Sequence, residues 1–240
     1  MLGDGTALDA LTAGPFDDSA AWSPDGRRIV FVQSGAGLSI LDVETGATSS
    51  VATPLASIGS PAWHPTMDLL TVEGSTGTLS SIYTITLAGQ IEQLTRGTSN
   101  DVGPIFAPEG DAIIFVSDRS GSYEIHRLEI GTGAVTSLTT RSQIVGRATL
   151  RSDGCELVYT RAPSAAEADL VSLDICTAGA RPKSLAQAGS EPSFAPGDGA
   201  LVFATQRFGG SSIMYWPARG EAPVPVMTGS GLASAPALAP

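Results

Sequence analysis

The sequence predicts an all-β fold, a β-propeller built from four-stranded antiparallel blades. Three observations carry that prediction. A short turn-bearing anchor recurs at near-constant spacing, each anchor is followed by a strand apolar on both faces, and no stretch longer than one strand shows the helical period. The anchors are Trp22-Ser23-Pro24-Asp25-Gly26, Trp63-His64-Pro65, Phe106-Ala107-Pro108-Glu109-Gly110, Leu150-Arg151-Ser152-Asp153-Gly154 and Phe194-Ala195-Pro196-Gly197-Asp198, with a sixth beginning at Leu238-Ala239-Pro240. They lie 41, 43, 44, 44 and 44 residues apart. A fixed period of this length marks a repeat architecture, in which each unit buries its faces only against its neighbours.

Within a repeat the elements follow in a constant order. Seven residues after the anchor stand Ile29, Leu70, Ile113, Leu157 and Leu201, and nine after it Phe31, Val72, Phe115, Tyr159 and Phe203. A spacing of two places each pair on one face of a strand. The residues between them, Val30, Thr71, Ile114, Val158 and Val202, are also largely apolar. The strand is therefore expected to be buried on both sides. A Gly- or Ser-rich turn follows, then a third strand such as Tyr123–Leu128, a polar turn such as Asp42-Val43-Glu44-Thr45-Gly46, and a more polar fourth strand. Four strands in about 44 residues make a propeller blade. The anchor aromatics are read as wedges in the core rather than as ligand-stacking groups.

The segments Asp18-Ser19-Ala20-Ala21-Trp22-Ser23-Pro24-Asp25-Gly26-Arg27-Arg28-Ile29-Val30-Phe31 and Ile113-Ile114-Phe115-Val116-Ser117-Asp118-Arg119-Ser120-Gly121-Ser122-Tyr123-Glu124-Ile125 resemble the TolB-type, WD40-like propeller repeat. The resemblance spans nearly the whole chain. The second repeat departs from it at Thr66-Met67, where the Asp-Gly turn is lost; the fourth lacks the Pro, and the fifth has Gly197-Asp198 in altered order. The resemblance implies three functional settings: a non-catalytic scaffold for protein or peptide partners, the gating propeller of a prolyl-oligopeptidase-like serine hydrolase, or the ligand-sensing domain of a receptor or regulator. The first is the leading expectation.

The 240 residues are expected to form one propeller domain, residues 1–240. Gly5–Thr12 reads as an outer strand and Ala235–Leu238 as an inner one, so five whole blades are expected with parts of a sixth. The chain then reads as a truncated segment of a six-bladed parent.

Lys183 is the single lysine, and the formal net charge is -11. Phosphate backbones are bound by Lys and Arg, so nucleic acid is excluded as a main partner. No apolar run approaches the roughly 20 residues of a membrane span, and the segment contains no signal peptide. The expected state is a monomer. His64 and His126 have no partner at metal or triad spacing, and no nucleophile elbow or phosphate-cradling loop occurs. Asp25 and Asp153 stand in turns that favour Asp for its local hydrogen bond. Neither a cofactor, nor a metal site, nor a catalytic constellation is therefore expected.

Cys155 and Cys176 fall at the facing ends of two strands joined by one hairpin. Either they form a cross-strand disulfide, or they are two free thiols at unrelated surface positions. The disulfide reading favours an oxidising, extracytoplasmic compartment.

Loops between strands one and two, and between three and four, share one face of a blade; the remaining loops share the other. The first face gathers 13 acids against six cations (Arg27, Arg28, Arg151, Arg181, Lys183, Arg219), a balance of -7. The second gathers eight acids against six, a balance of -2. On the second face, charges converge where the first strands begin. Asp18, Asp101, Arg119, Arg147, Glu191 and Arg207 are the expected partner-binding residues, Arg because its planar fork pairs with carboxylates. The competing expectation is that they are scattered solvated charges.

Overall fold

The computed structural model describes residues 11–12, 14, 17–33, 37–164, 167–195, 199–205, 212–217 and 221–226. The strand expected over Gly5–Thr12, apart from Leu11 and Thr12, and that expected over Ala235–Leu238 lie outside the described residues.

Five four-stranded antiparallel sheets follow one another along the chain. The first blade comprises β1 (Asp17–Trp22), β2 (Arg28–Gln33), β3 (Gly37–Asp42) and β4 (Thr48–Val51). The second comprises β5 (Ser57–Trp63), β6 (Leu69–Ser75), β7 (Ser81–Thr86) and β8 (Ile91–Gln93). The third comprises β9 (Asp101–Phe106), β10 (Ala112–Ser117), β11 (Glu124–Glu129) and β12 (Val135–Ser137). The fourth comprises β13 (Ile144–Leu150), β14 (Glu156–Ser164), β15 (Glu167–Asp174) and β16 (Lys183–Gln187). The fifth comprises β17 (Gly189–Phe194), β18 (Leu201–Thr205), β19 (Ser212–Trp216) and β20 (Val224–Val226). Each sheet pairs its strands in sequence order, as hairpins require. Among the described residues there is no helix.

Two compact units result. One runs over Leu11–Ser142 and holds the first three blades; the other holds the fourth and fifth, from Gln143 onward. The second strands are the most deeply buried: every residue of β10 and β18 is buried. In the first unit, Val30, Val32, Leu70, Val72 and Ile85 form one cluster, and Ile82, Ile113, Phe115 and Leu128 another. In the second unit, Val158, Leu170, Leu201 and Phe203 form the core, with Phe194 and Trp216 packed against it. Burying each such side chain stabilises by about 1.5–3 kcal/mol.

The anchors tie neighbouring blades together. Trp63 is buried; its Nε1 donates to the Ala21 carbonyl at 3.1 Å, and the Arg28 guanidinium lies 4.8 Å over its ring. Phe106 meets the edge of His64 at 4.9 Å between ring centroids. The Phe194 N–H donates to Thr149 Oγ1 at 3.2 Å. Trp63 and Phe106 are buried, whereas Trp22, Leu150 and Phe194 are half-buried.

One turn closes each first hairpin: the residue after the anchor donates its N–H to the carbonyl five positions on, in Ser23→Arg28, His64→Leu69, Ala107→Ala112, Arg151→Glu156 and Ala195→Ala200. In the first blade Asp25 completes the turn, accepting Ser23 Oγ and the Arg27 N–H. The second blade lacks that Asp. His64 replaces it, with Nδ1 accepting the N–H groups of Thr66 and Met67 at 3.1 Å each. Sequence reasoning placed His64 in a turn but missed this role.

Every first strand carries a bulge that its sequence spacing does not announce. Its leading residue has positive φ: Ser19 at 53°, Ser60 at 46°, Gly103 at 59°, Gly146 at 68° and Glu191 at 50°. Four of the five bulges insert one residue relative to the second strand, as between Asp18↔Val32 and Ala21↔Val30; the fourth blade inserts two, between Val145↔Thr160 and Ala148↔Tyr159. Pro follows at 61, 104 and 192, where its missing N–H costs no ladder bond.

Candidate functional site

In the third blade the expected residues Asp101 and Arg119 meet. Asp101 opens β9 and is only 2% exposed. Arg119 Nη2 lies 3.0 Å from both of its carboxylate oxygens. Arg119 Nε donates to Ser117 Oγ at 3.0 Å, and its guanidinium carbon sits 5.0 Å over the Phe115 ring. A carboxylate this buried is costly unless paired, and the planar fork is held on three sides. The guanidinium is thus fixed in place while its side chain stays about a quarter exposed, at 26%.

Hydrogen bonds lace this pair to the neighbouring loops. Ser80 N–H donates to Asn100 Oδ1 at 3.3 Å, and Asp101 N–H to the Ser80 carbonyl at 3.0 Å. Asn100 N–H donates to Asp118 Oδ1 at 2.9 Å. The β6–β7 loop, the segment entering β9 and the β10–β11 loop therefore form one connected rim. Two large apolar side chains emerge from it, Leu79 at 38% exposure and Tyr123 at 40%. Below the rim, Glu73 Oε2 accepts the N–H of the bulge residue Gly103 at 2.6 Å, joining the second blade to the third.

His126 lies under the same residues. Its ring centroid is 5.7 Å from that of Phe115, and it is 3% exposed, with Nε2 unpartnered among the described residues. It pairs with Phe115 across the β10–β11 ladder and is buried in the interior. Burial, and next the Arg119 charge, hold its pKa below the ordinary imidazole value, against the opposing pull of Asp101 and Glu124.

In the fourth and fifth blades the expected residues Arg147 and Glu191 also meet. Arg147 Nε lies 3.6 Å from Glu191 Oε2, and both belong to bulges. The contact is solvent-facing and contributes at most about 1 kcal/mol. The other carboxylate oxygen, Oε1, fills space beside Gly146, where an added Cβ would approach within 2.8 Å. Asp18 is exposed on β1 and makes no ion pair among the described residues. Arg207 lies outside the described residues.

Cys155 and Cys176 are bridged, with Cα atoms 5.1 Å apart. They sit one residue before β14 and two after β15, at the ends the register Glu156↔Asp174 brings together. Among the described residues no three His, Cys, Asp or Glu side chains gather to hold a metal ion.

The model of the TolB beta propeller domain matches residues 6–240. The chain belongs to the TolB β-propeller family. The Tol-Pal system protein TolB of Bordetella pertussis is 32% identical over 120 residues, covering 48% of this chain and 27% of that protein. The TolB homolog of Chlorobium luteolum is 32% identical over 135 residues, covering 54% of this chain and 30% of that protein. The chain thus spans under a third of the length of these curated relatives. The crystal structure of TolB from Acinetobacter baumannii superposes with a TM-score of 0.82 at 26% identity, over 94% of this chain and 57% of that one. An oligogalacturonate lyase solved in complex with manganese shares the fold at TM-score 0.60 and 14% identity, over 88% of this chain and 79% of that one.

Proposed function

We propose that this TolB-family propeller is a non-catalytic, monomeric, extracytoplasmic scaffold that binds a protein or peptide partner. The carrying observation is the rim around Asp101 and Arg119. A guanidinium held by a buried carboxylate, beside exposed Leu79 and Tyr123, loses little entropy on meeting a partner. It offers one oriented cation and one aromatic side chain, Arg and Tyr being residue types that dominate binding energy at interfaces, with Leu79 as an apolar neighbour. The Arg147–Glu191 pair is the second charged contact of this reading. Membership of the family, with relatives named for the Tol-Pal system, supports a protein partner. The Cys155–Cys176 bridge supports an oxidising compartment.

The test places a photo-crosslinking amino acid at Tyr123 in cells of the source organism, with Met67 on the other loop face as control. The partner recovered is then titrated against Arg119→Glu and Arg147→Glu. Adducts specific to Tyr123, and an affinity loss of about tenfold or more in the Arg119 variant, are expected. Equal adducts at both positions, or unchanged affinity in both variants, overturn the reading. Turnover of peptides, esters and oligogalacturonides by the purified chain is expected to stay at background.

A further inference from the structure

A second concave site lies in the fourth blade, where its first and third turns emerge. It is a cavity of about 420 Å³, lined by Arg151, Glu156, Ser172, Asp174, Arg181 and Lys183, with Cys155 at its border. The register explains the convergence. Glu156 pairs with Asp174, and Ser172 with Lys183, so all four project from one face of the sheet. Glu156 and Ser172 are buried and form the floor, while Arg181 and Lys183 are exposed at the mouth. The disulfide fixes the start of the Cys176–Lys183 segment against the first turn.

The acids around this cavity already have partners. Arg151 contacts Asp153 and donates through Nη1 to Glu156 Oε2 at 3.1 Å. Asp174 accepts the N–H groups of Cys176 and Thr177 and the Thr177 hydroxyl, which also hold its pKa below the ordinary carboxylate value. Arg181 and Lys183 make no ion pair among the described residues. Three cations, Arg151, Arg181 and Lys183, therefore gather in one hollow, two of them with charge to spare, and one is the only lysine of the chain.

We propose that this cavity binds a small organic dianion bearing carboxylate or phosphate groups. Arg181 offers a planar fork for bidentate pairing, Lys183 a point charge and Ser172 a hydroxyl at the floor. The volume falls within the roughly 300–1,000 Å³ of small-molecule sites.

The experiment titrates the full chain by calorimetry with succinate, inorganic phosphate and neutral succinamide. Saturable millimolar binding of succinate or phosphate is expected, weakening as salt is raised, with none for succinamide. Binding of phosphate alone assigns the site to phosphate esters, and of succinate alone to dicarboxylates. The Arg181→Ala/Lys183→Ala variant should lose affinity by about tenfold or more while keeping its melting temperature, since both side chains are exposed. No saturable binding of either acid, or equal affinity in the double variant, overturns the proposal.

Discussion

His64 occupies the space that Gly110 leaves empty. A Cβ built on Gly110 would stand 2.2 Å from His64 Nε2, and the glycine has φ of +76°. One imidazole thereby closes its own turn through Nδ1 and packs the next blade's turn through its other edge. Gly110→Ala combines a steric clash with left-handed strain and should destabilise by about 2–4 kcal/mol. The double variant Gly110→Ala/His64→Ala should recover part of that loss in a double-mutant cycle by thermal unfolding. Strict additivity would sink the contact.

Mild acid should weaken the fold through the two histidines. Burial is the first cause that lowers the pKa of both His64 and His126. As pH falls, the unfolded chain takes up protons before the folded one does. Stability is therefore full above about pH 6.5 and declines below it until the folded-state values are reached. His126→Gln should flatten the pH dependence of urea midpoints in that window. An unchanged slope would remove His126 as its source.

The hydrogen-bonded turn carboxylates act in a lower window. Thr45 and Thr177 bonds lower the pKa values of Asp42 and Asp174 from the ordinary 3.8. Their contribution is present above that value and is lost as pH falls through the folded-state values. Asp42→Asn should shift the acid-unfolding midpoint upward, measured by circular dichroism.

Breaking the Asp101–Arg119 pair should cost more than replacing it. Arg119→Met leaves a buried carboxylate with its main partner gone and should destabilise by about 1–3 kcal/mol. Asp101→Leu/Arg119→Met should be milder than the single Arg119 change. Chemical denaturation of the three chains decides it, and additive losses would refute the coupling.

Reduction of Cys155–Cys176, or Cys155→Ser/Cys176→Ser, should lower stability by about 3 kcal/mol, as expected for a loop with separation 21. Differential scanning calorimetry with and without reductant reads it directly.

The blades were legible because their signals are local. Each anchor, doubly apolar strand and Gly-rich turn lies within one repeat, and the Cys155–Cys176 contact follows from a single hairpin. The charged pairs of the candidate site were only half legible. The sequence put Asp101, Arg119, Arg147 and Glu191 on one kind of loop face, but their pairing depends on rotamers and on bulges. The rim bonds of Asn100 to Ser80 and Asp118, and of Glu73 to Gly103, span 18 to 30 residues and join different loops or blades. Periodicity cannot see them. Only the prolines at 61, 104 and 192, placed inside otherwise regular strands, hinted at the bulges.

Those bulges have a consequence for how the molecule can vary. In four blades the inserted residue resets the pleat, so that Asp18 and Ala21, three apart, share a face. The stretch before the reset and the anchor after it no longer alternate in step. Substitutions upstream, where the charged residues gather, leave the wedge-forming anchor in phase with its neighbours. In those four blades the first strand thus works as two halves whose side-chain phases are set separately, one carrying the charged contacts and the other bound to the core.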